Sequence, residues 1–130
     1  NRSPLIRIPV TRGAGTRVEL RCPDPAANPY LVLAVCLEAG LDGIRNQITP
    51  PDAVTENVFE MQLQQRAKLG IESLPGDLEQ AVEELEKDDY IKNVLGGHIT
   101  EKYLEAKRAE WADYRAQVTE WEIEKYLYKI

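Results

Sequence analysis

Cysteine is too scarce in this 130-residue chain for disulfides to carry its stability: Cys22 and Cys36 are the only two, and neither stands in a metal-ligand spacing. That scarcity points to a reducing, cytoplasmic home. Histidine is scarcer still. His98 is alone and follows a Gly-Gly stop, so it reads as a loop residue without ligand partners. Also missing are any run of 18 apolar residues and any charged-then-apolar leader, so neither a membrane span nor a secretory signal is read here. Basic charge is not in excess. The 22 acids against 16 bases leave a net charge of −6, which argues against a general binder of nucleic acid or anionic membrane. An initiating methionine is absent as well: the chain opens on Asn1 and its one methionine is Met61, so the expectation is a piece of a longer polypeptide.

What is present is first a composition for a folded core. With 43% apolar residues, 130 positions fit a single domain over 1–130. Charge is distributed unevenly within it. Residues 1–21 carry five arginines (Arg2, Arg7, Arg12, Arg17, Arg21), no lysine and one acid, Glu19, whereas the acids dominate everything that follows. A basic set made only of arginine suits planar, bidentate recognition of phosphate or carboxylate, because the guanidinium fork fits those anions and stays charged.

Strand-like alternation occupies the same stretch. "LIRIPV" (Leu5 to Val10) places Ile6, Ile8 and Val10 on one face and Arg7 on the other. "TRVELR" (Thr16 to Arg21) places Arg17, Glu19 and Arg21 on one face and Val18 and Leu20 on the other. Gly13 and Gly15 supply a turn between them. A charged face of this kind is either open to water or part of a site.

Helical signals take over after Pro25. Asn28 is a good N-cap, Pro29 fits the first helical position, and Tyr30 to Leu37 is almost wholly apolar, which predicts a buried helix. The Pro-Pro stretch 48–57 reads as a surface loop. Leu78, Ala81, Val82 and Leu85 recur as one apolar stripe beneath an acidic face over 77–89 that reads as solvated. A short helix over Asp89 to Leu95 stops at Gly96 and Gly97, and Thr100 is placed to cap a helix running to about Gln117. Thr119 with Glu122 predicts a capping box that opens a last helix. The predicted fold class is α+β: a few antiparallel strands at the N-terminal end, then a mainly helical portion.

Three blocks in order, "NRSPLIRIP", "TRVELR" and "PDPAANPYL…AGLDGI", closely resemble the C-terminal part of the catalytic domain of bacterial type I glutamine synthetase. The later "LGGHITEKYLEAKRAEWADYRAQVTEWEIEKYL" resembles the tail of the same enzyme in low-GC Gram-positive bacteria. The resemblance implies an ATP-dependent ligase that forms glutamine from glutamate and ammonia through γ-glutamyl phosphate, with Mg²⁺ or Mn²⁺ in its active site. Residue by residue, it implies that Arg2 is catalytic and touches both the ATP phosphates and the glutamate being phosphorylated. It further implies that Arg7 and, less directly, Arg17 bind ATP, that Glu19 is a metal ligand, and that Arg21 binds glutamate. Such chemistry brings two anions together, and arginines with a divalent ion offset their repulsion.

Two other readings stand beside this one. A related ligase could attach another amine, such as a polyamine, because the residues that select the amine fall outside these blocks. Alternatively the chain is a structural and assembly module with no activity of its own. The aromatic tail (Trp111, Tyr114, Trp121, Tyr126, Tyr128) reads either as helix packing or as a subunit interface, and the resemblance favours an interface in a dodecamer. In "ENVFEM", Phe59 occupies the place where the enteric branch of the family carries an adenylylated tyrosine. A phenyl ring offers no oxygen to modify, so control is expected from glutamine feedback or a regulatory protein.

Overall fold

The computed structural model describes residues 4–129, and the chain divides into two compact units, Asn1–Ser73 and Leu74–Ile130. The first unit opens with two antiparallel strands, β1 (Ile6–Arg7) and β2 (Glu19–Leu20), in which Ile6 faces Leu20 and Arg7 faces Glu19. These strands are shorter than the alternation predicts. Pro4 and Pro9 flank β1 and Pro23 follows β2, and proline has no N–H to give a ladder. A backbone bond from Arg21 N–H to the Leu5 carbonyl (3.0 Å) carries the pairing one step further. Between the strands a 3₁₀ turn, Gly13–Gly15, starts from a positive φ of 71° that only glycine adopts freely.

Helix α1 (Pro29–Arg45) starts as the sequence predicts, with Asn28 Oδ1 accepting from the N–H groups of Tyr30 and Leu31 and Pro29 in the first turn. Its burial differs from expectation. Leu31, Val32, Val35 and Cys36 are half-buried, but Tyr30, Leu33, Leu37 and Ile44 are exposed. At 100° per residue those four fall on one narrow stripe. This chain therefore covers one side of an apolar helix and leaves the other open. The loop 48–57 is irregular, as predicted, and leads into a 3₁₀ turn (Val58–Glu60) that Asn57 caps. Phe59 is exposed there, whereas Met61 beside it is buried. A short helix, α2 (Leu63–Lys68), follows.

The second unit is helical. Asp77 caps α3 (Leu78–Lys87) by accepting from Gln80 N–H, and the predicted stripe is buried at Val82 and half-buried at Leu78 and Leu85 but exposed at Ala81. Its acidic face is not all solvated: Glu86 pairs with Arg108, and Glu79 lies 3.9 Å from Arg115. Both arginines belong to α5 (Gly97–Arg115), so charge links α3 to α5. Between them α4 (Asp89–Leu95) ends at Gly96, whose φ of 78° redirects the chain. Helix α5 then begins at Gly97, ahead of the predicted cap. Thr100 is a buried residue within it, and its hydroxyl donates to the Lys92 carbonyl (3.2 Å). The threonine thus gives a second donor to a carbonyl in the last turn of α4 that already accepts from Gly96 N–H, rather than capping an N–H at the start of α5.

The capping box forms as predicted. Thr119 Oγ1 accepts from Glu122 N–H, Glu122 accepts from Thr119 N–H, and the three-residue α6 (Glu120–Glu122) runs on into a π-helical stretch, Ile123–Leu127. The Thr119 backbone and hydroxyl bonds hold the Glu122 carboxyl below its usual range. A lowered folded value means this contribution is fully present above the ordinary glutamate range and is lost as pH falls through the lowered value. Thr119→Ala is expected to speed amide exchange at Glu122 and Ile123 severalfold at neutral pH. Acidification should then add less fraying to the variant than to the parent, and equal acid sensitivity would show that the box is not what holds this turn.

Candidate active site

The ladder brings together residues that the sequence left twelve positions apart. Arg7 and Glu19 are direct cross-strand partners, and Arg7 Nη1 donates to Glu19 Oε2 at 2.8 Å. From two residues earlier, in the loop just ahead of β2, Arg17 donates through Nε (3.0 Å) and Nη2 (2.6 Å), both to Glu19 Oε1. Each carboxylate oxygen therefore has an arginine on it. Arg21 directly follows β2 and is exposed. Arg2 lies outside the described residues. The fifth arginine of the basic segment, Arg12, is turned elsewhere and donates to the carbonyls of Pro9 and Thr11.

Glu19 keeps 28% of its side chain exposed, against 42% for Arg7 and 52% for Arg17. At such exposure ion pairs add little to stability, so their effect is on the carboxylate itself. Arg7 foremost, and Arg17 after it, hold the Glu19 carboxyl below the usual carboxylate range. The result is an ionised, oriented hard-oxygen donor at the rim of a short sheet, surrounded by guanidinium groups. Sequence alternation puts Arg17, Glu19 and Arg21 on one face, of which Arg17 and Glu19 do pair, but it missed Arg7 as the partner of Glu19. That opposition depends on the path of the loop 8–18, for which the sequence offers only the glycines.

The donor set fits a divalent cation in one respect. A carboxylate oxygen is the ligand Mg²⁺ or Mn²⁺ takes, but such ions need several oxygens, and no cluster of three or more His, Cys, Asp or Glu able to hold a metal occurs among the described residues. Glu19 can therefore serve as one ligand of a site completed by other groups. No helix among the described residues is long and apolar enough to cross a membrane.

Comparison with known proteins gives this geometry a setting. The family model "Glutamine synthetase, catalytic domain" matches residues 1–126. The glutamine synthetase of Clostridium saccharobutylicum is 54% identical over 129 residues, covering 99% of this chain and 29% of that protein. The Thermotoga maritima glutamine synthetase is 55% identical over 128 residues, 98% of this chain and 29% of its own length. Among solved structures, "Apo GmaS without ligand" matches with a TM-score of 0.79 at 41% identity, over 98% of this chain and 28% of that one. The chain spans less than a third of the length of these relatives.

Proposed function

We propose that this chain, which belongs to the glutamine synthetase catalytic-domain family, forms the C-terminal part of that domain in an ATP-dependent ligase joining ammonia to glutamate. Both compact units are then parts of one domain. The observation that carries the reading is the Arg7–Glu19–Arg17 cluster: an ionised carboxylate held between two guanidinium groups, one across the strand pair and one from the loop ahead of β2. That arrangement suits a site where anionic phosphate and carboxylate groups must be brought together.

In this reading the side chains have separate tasks. Arg7 and Arg17 take phosphate oxygens of ATP, Arg21 takes the glutamate, and Arg2 reaches both the transferring phosphoryl group and the γ-carboxylate that receives it. Glu19 offers one oxygen to Mg²⁺ or Mn²⁺. When bound, the divalent ion supplies neutralisation of phosphate charge, so that the carboxylate can approach. The γ-carboxylate oxygen attacks the terminal phosphorus and ADP leaves; ammonia then attacks the γ-carbonyl carbon and phosphate leaves, giving glutamine and releasing a proton. Ammonia is favoured over a polyamine because the relatives that are 54% and 55% identical to this chain are named glutamine synthetase.

The same reading makes the full-length enzyme cytoplasmic and homo-oligomeric, a dodecamer, with control by glutamine or a regulatory protein. Trp121, Tyr126 and Tyr128 are exposed, and the Trp121 and Tyr126 rings meet edge to face at 5.8 Å, as befits side chains awaiting a neighbouring subunit. The test of the reading is Arg21→Lys in the full-length enzyme. A lysine keeps the charge but not the fork, so the glutamate KM is expected to rise by about tenfold while the ATP KM stays near the parent value. Ammonia should be the amine used. Unchanged glutamate kinetics, or turnover with a polyamine in place of ammonia, would refute it.

A further inference from the structure

Guanidinium groups take all but one of the positions that Glu19 could offer the ion it is meant to hold, and they leave none on Oε1. A carboxylate offers about four lone-pair positions. Both N–H groups of the Arg17 fork fall on Oε1, at 3.0 and 2.6 Å, and saturate it, while Arg7 takes one position on Oε2 at 2.8 Å. A small divalent cation must bond to a carboxylate oxygen at close range, and two guanidinium charges beside it repel it as well. Arg17 is the more readily displaced of the two. It is the more exposed and reaches Glu19 from the loop just ahead of β2, where its Nη1 also donates to the Gly15 carbonyl (3.2 Å), whereas Arg7 is fixed across the ladder by the strand pairing.

We infer that Arg17 is a place-holding cation: its fork occupies Glu19 Oε1 in the empty site, and it passes to a phosphate oxygen of the nucleotide when a divalent ion takes that oxygen. The inference rests on the reading of Glu19 as a metal ligand. Arg17 is then a positioning residue as well as a phosphate contact. It keeps the carboxylate ionised and aimed before loading, and it makes the arrival of metal and of nucleotide interdependent. The displaced guanidinium needs an anion, and the triphosphate supplies one. By linkage, nucleotide must strengthen metal binding by the same factor as metal strengthens nucleotide binding.

Mn²⁺ binding to the full-length enzyme, followed by electron paramagnetic resonance without turnover, tests this. Glu19→Gln identifies the class of Mn²⁺ that depends on this carboxylate; an unchanged Mn²⁺ titration in that variant would overturn the ligand reading itself. For that class, Arg17→Gln is expected to raise Mn²⁺ affinity about fivefold in the nucleotide-free enzyme, the scale of one exposed ion pair removed. It should also shrink, by a similar factor, the gain in Mn²⁺ affinity that a non-hydrolysable ATP analogue brings. Arg12→Gln removes a charge from the same loop without touching Glu19 and should leave the titration as in the parent. If Glu19→Gln loses the ion but Arg17→Gln leaves affinity unchanged or weaker, place-holding is wrong while the ligand assignment stands. Equal gains in Arg12→Gln and Arg17→Gln would reduce the effect to net charge and overturn the inference too.

Discussion

Glu19→Ala in the full-length enzyme is expected to cut ligase turnover by two to three orders of magnitude, roughly the cost of removing one element of transition-state charge stabilisation from a preorganised site. With the carboxylate gone, Arg7 and Arg17 lose the anion that now pairs with both, and their two positive charges are left without it. The site therefore loses a metal ligand and gains local repulsion of cations in a single change. The fold should survive, because Glu19 is only partly covered and the ladder's backbone bonds do not involve its side chain. Steady-state kinetics over a range of Mg²⁺, alongside thermal unfolding of the same preparation, separate the outcomes. A variant with parental turnover and an unchanged Mg²⁺ requirement would return this strand face to a solvated role with weak ion pairs.

What the sequence made legible was whatever is settled within a few residues. Asn28 with Pro29, and Thr119 with Glu122, act over one helical turn, so their residue types alone fix the start of α1 and the capping box. Alternation likewise put Arg17 on the face of Glu19, and the two pair. Pairing across the ladder was not legible, because the register of β1 on β2 depends on how the intervening loop closes. Thr100 misled for a related reason. Its type signals a cap, but Gly96 and Gly97 allow the turn to finish sooner, and its hydroxyl then finds the carbonyl of Lys92. The roles assigned to the arginines came from resemblance to a family, and the geometry adds what resemblance lacked, namely which arginine sits on which oxygen of Glu19.

Alone, the 130-residue chain is expected to form no detectable glutamine from ATP, glutamate and ammonia, and to bind Mg²⁺ only weakly. One carboxylate cannot hold a divalent ion that demands about six oxygens, and the described residues bring no acidic cluster to help it. A second consequence follows from α1. Tyr30, Leu33, Leu37 and Ile44 form a continuous apolar stripe over four helical turns, exposed at 82%, 68%, 62% and 74%. An exposed stripe of that length drives self-association or dye binding unless other protein covers it. In the family reading the cover is the remainder of the catalytic domain, because a helix this apolar has no reason to face water. Purified chain should therefore bind an apolar fluorescent dye strongly and sediment as a concentration-dependent mixture. Leu33→Glu with Leu37→Glu should suppress both behaviours in the isolated chain, yet prevent the full-length enzyme from accumulating as a folded protein. Full-length enzyme that tolerates both glutamates would show that this side of α1 faces solvent there as well, and glutamine made by the chain alone would show that its one carboxylate suffices.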